Sequence, residues 1–249
     1  MPLRARRAKQ QVASISSATS SSLALVYDYI KQRILSLKYP PGMNLAEVDF
    51  VSELKVSRTP IREALIKLAS EGLVELHQNR GAWVSEITLS DIRQFFEALD
   101  VAQRMVTRLA ALRFNPQALQ SLRAAAVDFD RNVNTGNISA MHEANFHFHA
   151  VIARNCGNAL VEEHYMRLLN IGTRVSHLAL VYEQSSRAKE GETLGLENIG
   201  EEHRKMIEYI MSGEADKAEE VAREHTVHFR QRVLNYVMSS EAAGIKVGD

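Results

Sequence analysis

Residues 45–70 read LAEVDFVSELKVSRTPIREALIKLAS, and the reading of this stretch decides the fold. Val48, Val51 and Leu54 share one face of a first helix. Leu54-Lys55-Val56 makes the turn that follows. Ser57 stands where an N-cap belongs, and Pro60 falls in the first turn of the next helix, where its missing N–H costs nothing. Ile61, Leu65 and Leu68 then face a core. Arg58, Thr59, Arg62 and Lys67 are left at outward or N-terminal positions. Two arginines and a hydroxyl near a helix N-terminus suit entry into a DNA major groove, where the arginines bridge guanine O6 and N7 or grip phosphates.

Working outward, Leu23, Val26, Tyr27, Ile30, Ile34 and Leu37 predict a preceding helix, which Tyr39-Pro40-Pro41-Gly42 ends. On the other side, Leu73-Val74-Glu75-Leu76-His77 and Ala82-Trp83-Val84-Ser85 flank a polar turn, Gln78-Asn79-Arg80-Gly81. That is the chain's one clear strand-pair signal, a β-hairpin. Arg80-Gly81 at its tip can enter or straddle a minor groove.

Ser57-Arg58-Thr59-Pro60-Ile61-Arg62-Glu63-Ala64-Leu65, then Leu68, Glu71-Gly72-Leu73-Val74 and Arg80-Gly81-Ala82, resemble the winged helix of the GntR family of bacterial transcription regulators. The resemblance runs from about residue 23 to 86. It implies a homodimer on an imperfect palindrome of double-stranded DNA. Arg58, Thr59 and Arg62 would be the helix contacts, Arg80 and Gly81 the wing contacts, and Lys67 a phosphate contact. A dimer must hold its two readers about one helical turn apart, ~34 Å.

After Thr88 the pattern becomes helical throughout. Thr88-Leu89-Ser90-Asp91 has the form of a capping box, with Asp where Glu or Gln is usual. Leu89, Ile92, Phe95, Phe96, Leu99, Val106, Leu109 and Ala110 follow at helical spacing. Further helices are predicted at about 116–134, 138–155, 158–182, 196–212 and 214–239, with a polar loop over 183–195. The fold class read from this is mainly α: an N-terminal winged helix-turn-helix with a small β-hairpin, then an all-α bundle. The expected domains are a flexible basic arm over 1–22, the DNA-binding unit over 23–86, the helical unit over 87–240, and a flexible tail over 241–249.

Composition agrees with that division. Hydrophobic residues make up 45% and charged residues 24% of 249 residues, which excludes wholesale disorder. Residues 1–86 hold 12 Lys/Arg against 8 Asp/Glu, and residues 87–249 hold 18 against 22, so an anionic partner is expected at one end only. The single cysteine, Cys156, forbids an intrachain disulfide and fits a reducing bacterial cytoplasm. No apolar stretch approaches the ~18 residues needed to span a bilayer. The first 22 residues are basic and Ser-rich without an apolar segment, so they are read as an arm rather than a signal peptide.

The helical half carries His142, His147, His149, His164, His177, His203, His225 and His228. Asn145 and His149 share a helix face; His203 and His225 lie on two later helices. Three imidazoles and an amide oxygen from three helices are able to converge on one divalent metal, although spacing alone does not demonstrate it and histidines on helices are more often surface or core residues. Asn145-Phe146-His147-Phe148-His149 with Ile152, Gly157-Asn158 and Leu160, and His203 with Ile207, Asp216, Ala218 and His225, resemble the FCD effector domain of the FadR subgroup over about residues 88–238. The resemblance implies a metal on Asn145, His149, His203 and His225, beneath a pocket for a small organic acid. The family has Asp where this chain has Asn145, and an amide ligates less strongly and leaves the site more positive. His-rich ligation favours zinc, nickel or another transition ion over magnesium or calcium.

The family's effector-binding Arg and Glu align with Leu99 and Gln103, which leaves Arg104, Arg108 and Arg174 as effector-binding candidates or as salt-bridged arginines. His147, between two phenylalanines, is read as structural or solvent-facing. The function read from all this is a transcription regulator, expected to be a repressor released by a small carboxylate, and not an enzyme. Two alternatives are an acyl-CoA sensor without metal and a metal-dependent hydrolase using Glu143, Glu202 or Glu224.

Overall fold

The computed structural model describes residues 22–190 and 196–238; residues 1–21 of the expected basic arm, the tail and the end of the expected loop lie outside the described residues. The chain divides into two compact units, Met1–Glu86 and Ile87–Asp249.

In the first unit, α1 covers residues 22–35. It is followed by β1 (Asn44–Leu45), α2 (Glu47–Leu54), α3 (Arg58–Ser70), β2 (Val74–His77) and β3 (Gly81–Val84). Val26, Ile30 and Ile34 of α1 are fully buried against Ile61, Leu65 and Leu68 of α3, as their spacing requires. The turn between α2 and α3 bends at Lys55, which takes a left-handed conformation (φ 56°). Ser57 occupies the N-cap of α3 with extended backbone, but its hydroxyl makes no capping bond. The inward residue of α2 is Phe50, not Val48, which is 60% exposed. In an eight-residue helix the larger ring takes the core position, and Phe50 packs 6.2 Å from the Tyr39 ring.

The sheet is antiparallel, in the order β1-β3-β2. The hairpin forms where expected, but Gly81 (φ 89°) is the first residue of β3 and pairs with His77, so the turn proper is Gln78-Asn79-Arg80. β1 has no counterpart in the sequence pattern. Its two residues, Asn44 and Leu45, pair with Trp83 and Ala82 and are too few to show alternation.

The second unit is helical: α4 (Leu89–Leu112), α5 (Pro116–Thr135), α6 (Ile138–Arg154), α7 (Ala159–Glu190), α8 (Glu197–Ser212) and α9 (Ala215–Met238). The capping box of α4 is present. Asp91 N donates to Thr88 Oγ1 (3.1 Å), and Thr88 N donates to Asp91 Oδ2 (2.8 Å). Asn115 caps α5 ahead of Pro116. The expected loop at 183–195 is corrected in its first part, because α7 continues to Glu190. Nothing between Glu183 and Glu190 breaks a helix; the segment is polar, and polarity alone does not end one. α4 packs against α7, α8 and α9, and α5 against α6 and α8. Gly172 lies mid-helix in α7, where an added Cβ would come within 3.1 Å of Phe95 Cζ. Close packing explains a glycine that otherwise costs about 1 kcal/mol. No described helix is long and apolar enough to cross a membrane.

Candidate functional site

The first unit presents its basic residues outward. Arg58, Thr59, Arg62, Lys67, Arg80 and Gly81 are all exposed, on α3 and the hairpin, while the opposite face of α3 is buried. Two of them are engaged. Arg62 Nε donates to both carboxylate oxygens of Glu47 on α2, at 2.8 and 2.9 Å. Lys67 Nζ lies 3.9 Å from the centre of the Tyr27 ring, a cation–π contact that ties it to α1.

In the second unit, α6, α8 and α9 bring His149, His203 and His225 together. One ring nitrogen from each lies within 4.8 Å of the others, and among the described residues this is the one cluster of three metal-ligating side chains of the His, Cys, Asp and Glu types. The ring centroids are 5.0 to 5.3 Å apart. All three rings are buried. His203 is stacked on Phe148 (4.1 Å) and edge-on to Phe129 (4.9 Å). Burial, reinforced by His225 and the neighbouring imidazole and guanidinium, holds His203 well below the usual imidazole range; burial and then His225 do the same for His149. Both rings are therefore neutral, the form that ligates metal.

Two observations test whether the residues fit an ion. Neither ring nitrogen of His203 has a hydrogen-bond partner, although the ring is completely enclosed. An unmet buried polar atom costs about 1–3 kcal/mol, which ligation of a metal removes at one of the two. His225 Nδ1 donates to Glu202 Oε2 at 2.7 Å, which leaves its Nε2 as the lone-pair atom. His228 Nδ1 reaches the other oxygen of the same carboxylate at 2.5 Å. Burial pushes the Glu202 pKa up, but the two imidazole contacts outweigh it and keep it below its usual value. The donor set, three neutral imidazoles with one oriented by a carboxylate, fits a divalent transition ion.

A cavity of about 60 Å³ opens beside the triad. His149 and His225 line it, as do Leu99, Gln103, Asn145 and Arg232.

Comparison with known proteins agrees with both halves. Residues 24–84 match the model of bacterial regulatory proteins of the gntR family, and residues 92–228 match the FCD domain. The chain belongs to the GntR family. It is 30% identical over 119 residues to the Nta operon transcriptional regulator of Aminobacter aminovorans, covering 47% of this chain and 56% of that one. It is 33% identical over 86 residues to the HTH-type transcriptional repressor RspR of Escherichia coli K12, covering 34% and 38%. The chain thus spans about half or less of these relatives. Among solved structures, E. coli McbR/YncC has a like fold, with TM-score 0.71, 16% identity, and coverage of 86% of this chain and 97% of that one.

The remaining sequence-predicted residues of this GntR-family protein divide by location. Asn145 lines the cavity one turn before His149. Arg104 and Arg108 are not on the cavity lining. Arg104 pairs with Glu219 (2.7 Å) and Asp100 (3.4 Å), and Arg108 with Asp216 (2.5 Å) and Glu219 (3.0 Å), the salt-bridged alternative. Arg174 is buried in α7 beside the lining residue Thr173, and burial lowers its pKa to about 10. His147 is exposed. Sequence reasoning missed Glu202 as the partner of His225, and it missed Arg232 and His142 on the lining. Arg232 had a signal: it stands seven residues after His225, on the same face of α9.

Proposed function

We propose that the protein is a homodimeric DNA-binding transcription regulator, acting as a repressor. Its hold on an operator is governed by a small organic acid bound beside a transition metal on His149, His203 and His225, with Asn145 at the edge of the site. The observation that carries the sensing half is the enclosed His203, whose two ring nitrogens lack partners at the centre of the triad. His149, His203 and His225 would hold a divalent ion, which would supply a Lewis acid for a carboxylate oxygen. The chain's own residues do the rest. Phe129 and Phe148 clamp His203, Glu202 orients His225, and the apolar lining around Leu168, Leu169 and Phe229 excludes water from the bound acid.

Cavity size separates this reading from an acyl-CoA sensor. At about 60 Å³ the cavity is small for a long acyl chain. The hydrolase reading needs a free base. Both oxygens of Glu202 are engaged by imidazoles, and Glu143 and Glu224 are exposed.

The DNA half rests on the outward Arg58, Thr59 and Arg62 of α3 and on Arg80 and Gly81 at the hairpin. The deciding measurement is metal per chain by elemental mass spectrometry on untagged protein. Near one ion per wild-type chain, lost in His203→Ala, is expected. A metal-free wild type after incubation with zinc, nickel and manganese would sink the metal-linked part of the reading.

A further inference from the structure

The cavity has two polar ends, and the triad accounts for one of them. On α6 its lining residues are Met141, His142, Asn145, Phe146 and His149; on α9 they are His225, His228, Phe229 and Arg232. His142, Asn145, Phe146 and His149 on α6, and the four on α9, are each spaced i, i+3, i+4, i+7, a helix face over two turns. His149 meets His225 with centroids 5.0 Å apart. His142 is close enough to Arg232 to feel its charge. The two stripes therefore run antiparallel across the cavity. They place the triad at one end and His142 with Arg232 at the other. Seven residues at ~1.5 Å each separate the ends by about 10 Å.

The far end holds a polar atom with no partner. His142 is 6% exposed, lines the cavity, and its Nε2 has no hydrogen-bond partner among the described residues. Its ring lies 5.2 Å from that of His177 on α7. Burial, with His177 and Arg232, pushes the His142 pKa down to about 3, and burial lowers His177 as well. Both rings are thus neutral, and each offers one donor and one acceptor. The Arg232 guanidinium is met at 3.1 Å by the Glu183 carboxylate. Taken over these four groups, the far end carries no net charge.

We propose that His142 Nε2 is a second recognition point in the cavity, taking an uncharged oxygen, a hydroxyl or a carbonyl, at the end of the effector opposite its carboxylate. This rests on the reading that the carboxylate goes to the triad. A second carboxylate is disfavoured because Glu183 already offsets Arg232, so the added charge would be buried without compensation. An apolar end is disfavoured because it leaves Nε2 unmet. Allowing ~2.8 Å for a polar contact at each end leaves about 5 Å, the span of a short chain of about four carbons.

The test uses the zinc-loaded full chain and three probes of equal length: butanoate, 4-hydroxybutanoate and succinate. Affinities are measured by isothermal titration for wild type, His142→Phe, His142→Gln and His149→Ala. In the wild type, 4-hydroxybutanoate is expected to bind about tenfold more tightly than either other probe. The preference should vanish in His142→Phe and survive in part in His142→Gln, which keeps a donor and an acceptor. Equal affinity for the three probes in the wild type, or a preference unchanged in His142→Phe, overturns the second recognition point and leaves the carboxylate reading standing. Tightest binding of succinate also overturns it, in favour of a cationic far end. Binding of no probe, or binding indifferent to His149→Ala, overturns both. The wild-type ranking decides even if the phenylalanine variant does not fold.

Discussion

Replacing Glu202 with glutamine removes one charge from the site without removing a ligand. Glu202 is 7% exposed, and its two oxygens accept from His225 Nδ1 at 2.7 Å and from His228 Nδ1 at 2.5 Å. The first contact fixes the His225 tautomer, holds its ring angle and makes its Nε2 a stronger donor. Across one imidazole the carboxylate lies ~6 Å from the point where the three rings converge, and its unit charge acting on a divalent ion there is worth about 5–6 kcal/mol at an effective dielectric of ~20 before screening. The His228 side chain is 60% exposed, so solvent screens part of that. Glutamine still accepts one hydrogen bond. The expected loss of zinc affinity is therefore about tenfold to a hundredfold, or about 1.4–2.7 kcal/mol, in the range found when outer partners of metal ligands are removed. A competition titration against a chromogenic chelator measures it. His228→Ala serves as the control, since that ring meets the other carboxylate oxygen and is not one of the three rings of the triad, and it should change affinity by no more than about threefold. If Glu202→Gln binds zinc within a factor of two of wild type, with its helical content unchanged, then Glu202 does not tune His225 and the carboxylate has no part in the triad.

Three further outcomes follow from the same structure. Asn145→Asp places a carboxylate on the cavity wall one turn before His149 and should tighten zinc binding by about tenfold in the same titration, because a charged oxygen ligates more strongly than an amide. Glu47→Gln releases Arg62 from its bidentate carboxylate, so non-specific DNA affinity should rise and its salt dependence steepen by about one unit, measured by fluorescence anisotropy across a salt series. Metal-free protein should lose stability on acidification from about pH 6.5 towards about 3: the unfolded His142 takes up a proton that the buried ring refuses, so the unfolded state binds more protons in that window. His142→Phe should flatten the urea-measured slope between pH 6 and 5 by up to about 1.4 kcal/mol per unit.

The winged unit is legible in the sequence because its determinants are local. Pro60 in the first turn of α3, the spacing of Ile61, Leu65 and Leu68, and the hairpin turn before Gly81 each act within a few residues. β1 escapes because Asn44 and Leu45 form a strand only by pairing with Trp83 and Ala82, almost forty residues away, and two residues cannot display alternation. The inward reading of Val48 fails for a related reason. In an eight-residue helix the apolar set Val48, Phe50, Val51 and Leu54 fits more than one face, and the bulk of the ring decides which one is buried. The extension of α7 to Glu190 shows the reverse error, a polar helix end read as a loop because polarity alone resembles one.

The site is legible to the extent that one face of one helix can show it. Asn145 and His149 share such a face, and His225 and Arg232 share another, so periodicity within each helix locates both stripes. Periodicity does not tell which turn of α6 faces which turn of α9. That pairing is set by packing of α4, α7 and α8 around them, and it alone puts His149 beside His225 and His142 near Arg232. Glu202 is hidden for the same reason. It adjoins His203 in sequence but serves His225, because consecutive residues on a helix point about 100° apart and so reach different neighbours. A residue flanking a metal-ligand candidate on a helix is thus a poor guess for that ligand's own partner and a good one for a ligand on the next helix.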